Sequence, residues 1–174
     1  MNYTNIEIKA KSSEEQQNKI REILKQNNAQ YFGTDAQIDT YFKVEKGRFK
    51  LRKGHFQNDF IYYEREDKKN FKQSKVILIN NQGRIDELEK IIKKTHEILI
   101  KIEKKREIYF IENVKFHIDK VKDLGSFIEI EATSQENFIP IEKLKKQCDY
   151  YKNLFEIKEQ DLIENSYSDM QSHQ

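Results

Sequence analysis

Residues 5 to 11 read Asn5-Ile6-Glu7-Ile8-Lys9-Ala10-Lys11, a strict alternation of polar and apolar side chains. Successive side chains of a β-strand point to opposite faces, so this period of two predicts an amphipathic strand. One face carries only apolar groups, whereas the other carries an amide, a carboxylate and two amines. The fold must therefore provide a different environment for each face of this strand.

Similar patterns on either side of this segment predict further strands and several helices. Ser13 before two glutamates resembles a helix N-cap, and apolar spacing then predicts a helix over about 13–27. The chain becomes extended from Ala36, and Gly47 lies in the turn of a predicted hairpin. Further strands are predicted at about 60–65, 75–80, 98–111, 113–122 and 127–133, with helices near 85–95 and after Pro140.

The number of predicted strands favours a closed sheet. Each strand at the edge of an open sheet exposes unpaired backbone groups, and closure removes those edges. We therefore predict an α+β fold, an eight-stranded antiparallel β-barrel with helices packed outside it. The 174 residues and 36% hydrophobic content suit a single domain over 1–170. The tail is expected to fray from Ser168, with 171–174 outside the domain.

The charge balance bears on the kind of partner. The chain has 32 Lys and Arg against 30 Asp and Glu, a formal net charge of +2. Proteins that coat nucleic acid usually carry a larger basic excess, because neutralising phosphates supplies much of their affinity. We therefore expect no nucleic-acid partner, and any functional field must come from the placement of charges.

Cysteine content and hydropathy bear on cellular location. Cys148 is the sole cysteine, which leaves neither an internal disulfide nor a zinc site of several thiolates. The sequence contains no apolar run of roughly 18–20 residues and no basic-then-apolar leader. These features predict a cytoplasmic protein with no membrane partner.

Periodicity alone leaves two arrangements of the charged faces open. In one, the polar faces are solvated and the apolar faces fill the barrel. In the other, the polar faces converge inside the barrel. The sorting of charge favours the second, since cations dominate Arg48, Lys50 and Arg52 whereas Glu129 and Glu131 have no cation between them. Such an interior would offer cations for phosphate oxygens and carboxylates for a divalent metal.

The first strand resembles the ExExK signature of the CYTH superfamily, which includes class IV adenylyl cyclases, thiamine triphosphatases and tripolyphosphatases. The resemblance extends over nearly the whole chain and is greatest to the class IV cyclase-like branch. Its other motifs, in order, are Asp39-Thr40-Tyr41-Phe42, Phe49-Lys50-Leu51-Arg52, Tyr62-Tyr63-Glu64-Arg65, Lys105-Arg106-Glu107, His117-Ile118-Asp119, Phe127-Ile128-Glu129-Ile130-Glu131 and Asp161-Leu162-Ile163-Glu164.

This resemblance implies a tunnel with a polar interior that binds a small-molecule triphosphate with Mg²⁺ or Mn²⁺. The implied metal ligands are Glu7, Glu129 and Glu131, with Asp119 as an additional acid. Lys9, Arg52 and Glu129 are implied to act in catalysis. The residues implied to hold the triphosphate are Lys9, Lys11, Lys50, Arg52, Arg65, Lys75, Lys104, Arg106 and Lys115.

Three functions remain open at this point. The first is a metal-dependent phosphohydrolase acting on inorganic tripolyphosphate or on a nucleoside or thiamine triphosphate, and the second is a class IV-type adenylyl cyclase. The third is a non-catalytic polyphosphate- or nucleotide-binding or structural subunit, suggested by Asn5, where the signature has a glutamate. An asparagine offers a metal a carbonyl oxygen without negative charge. The protein is expected to be a monomer or homodimer.

One histidine and three tyrosines are not assigned to metal binding or catalysis. His117 shares a predicted strand face with Asp119, and a structural or substrate-contacting histidine is favoured over a ligand. Tyr41, Tyr62 and Tyr63 are assigned to packing within the sheet, because strand aromatics usually pair across neighbouring strands.

Overall fold

Eight antiparallel strands close into a barrel in the order β1-β5-β4-β3-β2-β6-β7-β8. The structure is a computed structural model and describes residues 2–65, 71–80, 85–135 and 138–172. The strands are β1 (Asn2–Lys11), β2 (Gln30–Phe42), β3 (Arg48–Lys53), β4 (Asn58–Arg65), β5 (Lys72–Asn80), β6 (Ile98–Ile111), β7 (Val114–Val121) and β8 (Gly125–Gln135). The helices are α1 (Glu14–Gln26), α2 (Ile85–Thr95), α3 (Ile141–Leu154) and α4 (Tyr167–Ser172), with a 3-10 turn at Glu159–Asp161. The predicted fold class is confirmed.

Both faces of β1 are buried, each in a different environment. Ile6, Ile8 and Ala10 face outward and join the main hydrophobic core. Asn5 and Lys9 face the barrel interior and are also buried. The alternation in the sequence is thus satisfied by two enclosed surroundings rather than by one core and bulk solvent.

The main core lies outside the barrel wall, where helices α1 and α3 pack against it. Ile20 and Leu24 of α1 and Leu144 and Cys148 of α3 are at most 1% exposed and share this core with the outer face of β1. Helix α1 begins at its predicted cap, where the Ser13 side chain accepts a hydrogen bond from the Gln16 amide at 3.1 Å. The barrel lumen is therefore left available for polar side chains.

The C-terminal segment crosses the barrel at the end where β1 finishes. Leu162 bridges to Ala10, and the amide of Ile163 donates to the Lys9 carbonyl at 2.9 Å. Helix α4 then brings the Tyr167 ring to 5.0 Å from the Phe127 ring. The tail expected to fray from Ser168 is helical as far as Ser172, because this packing anchors it. The last two residues lie outside the described residues.

Some strands begin earlier than the alternation predicts. Strand β2 starts at Gln30 rather than Ala36, because a register shift between Tyr31 and Gly33 breaks the period of two. Strand β5 starts at Lys72 rather than near 75, in a polar stretch with few apolar markers. Within the described segments, no helix has the length and apolar character needed to cross a membrane.

Candidate active site

The polar faces of all eight strands line one cavity inside the barrel, so the second of the two arrangements is the one that the fold adopts. Among the described residues that line the cavity, seven are Lys or Arg and five are Asp or Glu. This excess of cations makes the cavity suited to a polyanion. The basic residues are Lys9, Lys50, Arg52, Arg65, Lys104, Arg106 and Lys115, and the acidic residues are Glu7, Asp39, Asp59, Glu129 and Glu131.

Asp39 of β2 holds three of the cations together. Its Oδ1 accepts a hydrogen bond from Arg52 Nε at 2.8 Å. Its Oδ2 accepts hydrogen bonds from Arg52 at 2.9 Å, Lys50 Nζ at 2.9 Å and Lys104 Nζ at 2.6 Å. One carboxylate therefore organises three cations and leaves the group with net positive charge.

Burial and neighbouring charges shift the pKa values of Asp39 and Lys104. Burial alone would raise the pKa of Asp39, but Arg52, Lys104 and Lys50 hold it well below its usual value. Burial lowers the pKa of Lys104 well below its usual value, only partly opposed by Asp39. Lys104 would thus gain from a second anion placed beside it.

Arg106 of β6 links two acids on neighbouring strands. Its Nε donates to Asp119 Oδ1 at 2.7 Å, and its NH2 donates to Glu129 Oε2 at 2.7 Å. The Tyr167 hydroxyl also donates to Asp119, at 2.7 Å from Oδ2. Asp119 is fully buried and lies outside the residues that line the cavity. The structure therefore places Asp119 behind Arg106, as a support for that arginine rather than among the cavity acids.

Glu129 of β8 lies where three basic groups meet. Lys9 Nζ lies 3.2 Å from its Oε1, and both Arg106 and His117 contact its Oε2. Although burial would raise the pKa of Glu129, Arg106 and Lys9 hold it well below its usual value. Burial, followed by the charge of Arg106, lowers the pKa of His117. His117 thus lines the cavity and contacts one of its carboxylates.

Glu7 of β1 faces a second group of cations. Its Oε1 lies 3.6 to 3.8 Å from Lys72, Arg65 and Lys9, distances that are ion pairs but exceed normal hydrogen bonds. Burial alone would raise the pKa of Glu7, but Lys9 and Lys72 hold it below its usual value. Glu7 is therefore ionised, and its ion pairs with these cations are longer than the hydrogen bonds that Asp39 accepts.

Lys72 of β5 belongs to this second group, although the sequence pattern did not predict it. The side chain is fully buried, and burial lowers its pKa to about 8. Among the described residues, its Nζ has no hydrogen-bond partner. A buried amine that has an ion pair with Glu7 but no hydrogen bond is only partly compensated for its loss of water.

The oxygen atoms near Glu7 bear on whether the cavity suits a divalent metal. In the part of the chain that the structure describes, no group of three His, Cys, Asp or Glu side chains is placed to hold a metal ion. Yet Asn5 Oδ1 and Glu7 Oε1 are buried and, counting only described residues, have no hydrogen-bond partner. Glu131 lies directly across from Glu7 on the adjacent strand. Oxygen donors of this kind are those that Mg²⁺ and Mn²⁺ prefer, so the donor set fits such an ion.

Two lysines expected in the cavity lie elsewhere. Lys75 is exposed, because the alternation along β5 turns Lys72 and Ser74 inward and Lys75 outward. Lys11 shares the inward side of β1 but is exposed at the end of the strand, beyond Lys9. The structure thus does not bring Lys11 and Lys75 together with the other proposed phosphate ligands.

The three tyrosines that were assigned to packing have two different positions. Tyr41 and Tyr63 line the cavity, and Lys50 Nζ lies 5.2 Å and 5.9 Å from the centres of their rings. Tyr62 does not line this cavity, and its hydroxyl donates to Glu64 at 3.0 Å. The aromatic groups of Tyr41 and Tyr63 are therefore available to the interior site.

A family model described as the CYTH domain matches residues 4–167. No curated protein sequence matches the chain significantly. Among solved structures, the PH1012 protein from Pyrococcus horikoshii OT3 is 24% identical, with a TM-score of 0.80 over 95% of this chain and 98% of its own.

Two further structures carry names that suggest activities. A candidate adenylate cyclase from Vibrio parahaemolyticus is 14% identical, with a TM-score of 0.75 over 97% of each chain. An RNA triphosphatase from S. pombe is 10% identical, with a TM-score of 0.55 over 95% of this chain and 86% of its own. At such identities these similarities show the shared fold alone.

Proposed function

Since the chain belongs to the CYTH domain family, we propose that it is a divalent-metal-dependent phosphohydrolase acting on a triphosphate bound inside the barrel. The observation that carries this proposal is the cluster of Lys50, Arg52 and Lys104 on one buried carboxylate, Asp39. Three converging donors with net positive charge suit the oxygens of a polyphosphate chain.

The cations around Asp39 and those around Glu7 bind different parts of the triphosphate. The group around Asp39 is tightly hydrogen-bonded and forms a rigid base for one part of the triphosphate. The group around Glu7 includes Arg65, which lines the cavity and would contact a second phosphate. Fixed positive charge in an enclosed site stabilises the negative charge that develops on phosphoryl transfer.

The acids on the opposite wall would hold the metal. Glu7, Glu129 and Glu131 are the proposed ligands, with the amide oxygen of Asn5 beside Glu7. When bound, Mg²⁺ or Mn²⁺ would neutralise phosphate charge and polarise the transferred group. Lys9 and Arg106 now neutralise Glu129, and both can instead bind phosphate oxygens once a metal takes that role. Asp119 keeps Arg106 in place throughout.

Turnover assays distinguish hydrolysis from adenylyl cyclase activity and from binding without catalysis. Purified protein is incubated with tripolyphosphate, ATP or thiamine triphosphate, each with Mg²⁺ or Mn²⁺, and phosphate, pyrophosphate and cyclic AMP are measured separately. Release of phosphate supports the proposal, whereas pyrophosphate with cyclic AMP from ATP shows a cyclase. Binding without any product leaves only a binding module and overturns the proposal.

A matched pair of variants tests the site itself. Lys104→Met removes a cation from the Asp39 group, and Lys105→Met removes the next residue of β6, which is exposed on the outer face. We expect Lys104→Met to lower kcat/KM by about 10²-fold, the scale for loss of one charge-stabilising group. Lys105→Met is expected to stay within about twofold of the native protein, and equal effects would exclude the interior site.

A further inference from the structure

The loop between β3 and β4, residues 54–57, is attached to the start of β2 by a buried acid. Asp35 of β2 is fully buried and lies outside the residues that line the cavity. Its Oδ1 accepts hydrogen bonds from the backbone amides of His55 at 2.6 Å and Phe56 at 3.4 Å. Its Oδ2 accepts one from the amide of Gln57 at 3.3 Å. Three consecutive amides of the loop therefore converge on one side chain.

Two glycines provide the space that this attachment requires. At Gly33 of β2, an added Cβ would lie 2.7 Å from the Phe56 ring, so the ring lies directly on the backbone there. At Gly54, an added Cβ would lie 2.8 Å from the carboxyl carbon of Asp35. A side chain at either position would push the loop away from β2, because close-packed atoms leave no room for it. The loop is therefore fixed in two places.

Gln57 connects this attachment to the proposed phosphate site. Of the four described residues of the loop, only Gln57 lines the cavity. Its Oε1 accepts hydrogen bonds from Arg52 NH1 at 3.1 Å and from Gln37 Nε2 at 2.8 Å. Gln37 is buried and also donates from Nε2 to Asp35 Oδ2 at 3.0 Å. Asp35 thus holds Gln57 in two ways, through the backbone amide of Gln57 and through Gln37.

The contact with Gln57 limits how the Arg52 guanidinium can move. A guanidinium donates from Nε, NH1 and NH2, and Asp39 accepts from Nε and NH2 along one edge of the group. A group held along one edge can hinge about that edge, and the contact from NH1 to Gln57 opposes this motion. Counting contacts within the described residues, a hydrogen on NH1 and one on NH2 remain for a ligand. Gln57 therefore helps to determine where those two hydrogens point.

We propose that Asp35 is a positioning residue for the triphosphate site, acting through Gln57 on the orientation of Arg52. The connection from Asp35 to Arg52 consists of hydrogen bonds between buried or half-buried groups, and in such a chain each bond affects the next. A binding group must be held within about 0.5 Å of its productive position. The inference rests on the proposed function, because Arg52 must contact the triphosphate for its orientation to affect the ligand.

A double-mutant cycle distinguishes positioning from a purely structural role. Gln57→Met removes the acceptor for Arg52 with little change in volume, and Asp35→Asn leaves one oxygen where two now accept loop amides. Each variant is expected to raise the Kd for tripolyphosphate, measured by calorimetry with Mg²⁺, about tenfold, the scale for one hydrogen bond. Since Asp35 acts through Gln57, the double variant should also be about tenfold weaker than native. A loss of about a hundredfold, the product of two independent effects, overturns the proposal.

Gly54→Ala tests the same connection without altering any side chain in it. The added methyl would meet the Asp35 carboxyl group, so the loop should move away from β2 and displace Gln57. We expect a rise in Kd of about tenfold, as for Asp35→Asn. The control is Asp149→Asn on the exposed face of α3, which should stay within about twofold of native. A native Kd in folded Gly54→Ala and Asp35→Asn, with only a lower thermal unfolding midpoint, makes Asp35 purely structural and overturns the proposal.

The orientation of Arg52 can also be measured without a ligand. Nitrogen-15 NMR follows the guanidinium of Arg52, whose signals are identified by their loss in Arg52→Lys. Rotation about the Cζ–NH1 bond is expected to be about tenfold faster in Gln57→Met and in Asp35→Asn than in the native protein, because NH1 loses its acceptor. Unchanged rotation in Asp35→Asn overturns the proposal. If the native protein binds no tripolyphosphate, the proposed function fails, and the rotation rates alone then show whether Asp35 orients Arg52.

Discussion

Arg52 donates to both oxygens of Asp39, from Nε to Oδ1 at 2.8 Å and from NH2 to Oδ2 at 2.9 Å. Both side chains are less than 10% exposed. This bidentate pair fixes the plane of the guanidinium while Lys50 and Lys104 share the same carboxylate. The three cations proposed to bind phosphate are therefore held in place by the Asp39 carboxylate without any ligand.

Asp39→Asn is expected to destabilise the protein strongly in the absence of ligand. The amide leaves three buried cations without their counter-charge, and breaking a buried pair in this way costs about 3–5 kcal/mol. Tripolyphosphate should then raise the thermal unfolding midpoint more in the variant than in the native protein, because the ligand replaces the missing charge. Thermal unfolding with and without tripolyphosphate measures both effects.

The control for this variant is Asp86→Asn, which removes one charge from an exposed pair. Asp86 lies 3.0 Å from Lys53, and its side chain is 73% exposed. Its loss should cost no more than about 1 kcal/mol. A similar cost for both variants would show that Asp39 does not organise the cations.

Acid unfolding should report the low pKa of Asp39. Its folded-state pKa is well below the value of about 3.9 in the unfolded chain. The stabilisation is thus complete above about pH 4 and is lost as the pH falls toward the folded-state pKa. Urea unfolding between pH 3 and 6 should show a free energy that falls below pH 4, with a shallower fall in Asp39→Asn. Equal slopes would contradict an ionised Asp39 in the folded protein.

Asn5→Asp is expected to strengthen metal binding and weaken the metal-free protein. The change adds a carboxylate two residues from Glu7 on the same inward face, and ligand charge is a main determinant of affinity for hard cations. We expect Mn²⁺ to bind about tenfold more tightly by calorimetry. The unfolding midpoint should be lower than native with EDTA, and higher than native with Mn²⁺.

Asn18→Asp is the matched control, since it adds the same charge on an exposed residue of α1. We expect no change in its Mn²⁺ affinity. If Asn5→Asp also leaves Mn²⁺ affinity unchanged, the metal does not lie beside Glu7.

Alanine variants of two glycines with positive φ distinguish the cost of backbone strain from the cost of steric overlap. Gly47 has φ of +73°, and an added Cβ would lie 2.8 Å from Tyr62 Oη and 2.9 Å from the Tyr63 carbonyl oxygen. Gly125 has φ of +104°, and no described atom lies within 4 Å of the Cβ position. Gly125→Ala should therefore cost about 1–3 kcal/mol from strain alone, and Gly47→Ala measurably more. Equal losses by urea unfolding would show that the β2–β3 turn adjusts.

The barrel could be predicted from the sequence because the alternation is strong where apolar residues mark one face of each strand. The inward positions of β5 could not, because the residues before Val76 are polar on both faces, so the pattern did not show whether Lys72 or Lys75 faces the lumen. The pairing of Glu7 with Lys72 fixes these positions in the structure.

The role of Asp39 was also not accessible from the sequence. A single acid in Asp39-Thr40-Tyr41-Phe42 does not indicate which cations will surround it, since Arg52 and Lys104 lie 13 and 65 residues away. The same limit applies to Asp119, whose partner Tyr167 lies 48 residues away. Long-range pairing across the barrel, rather than local pattern, decides these contacts.

The two enclosed faces of β1 link folding accuracy to the site. A slip of one residue in its pairing with β8 would turn Ile6 and Ile8 into the charged lumen, and Glu7 and Lys9 into the core beneath α3. Both exchanges are unfavourable, so a barrel with β1 in that register is expected to be unstable. The register that buries the apolar face of β1 under α3 is therefore also the one that points Asn5, Glu7 and Lys9 into the lumen.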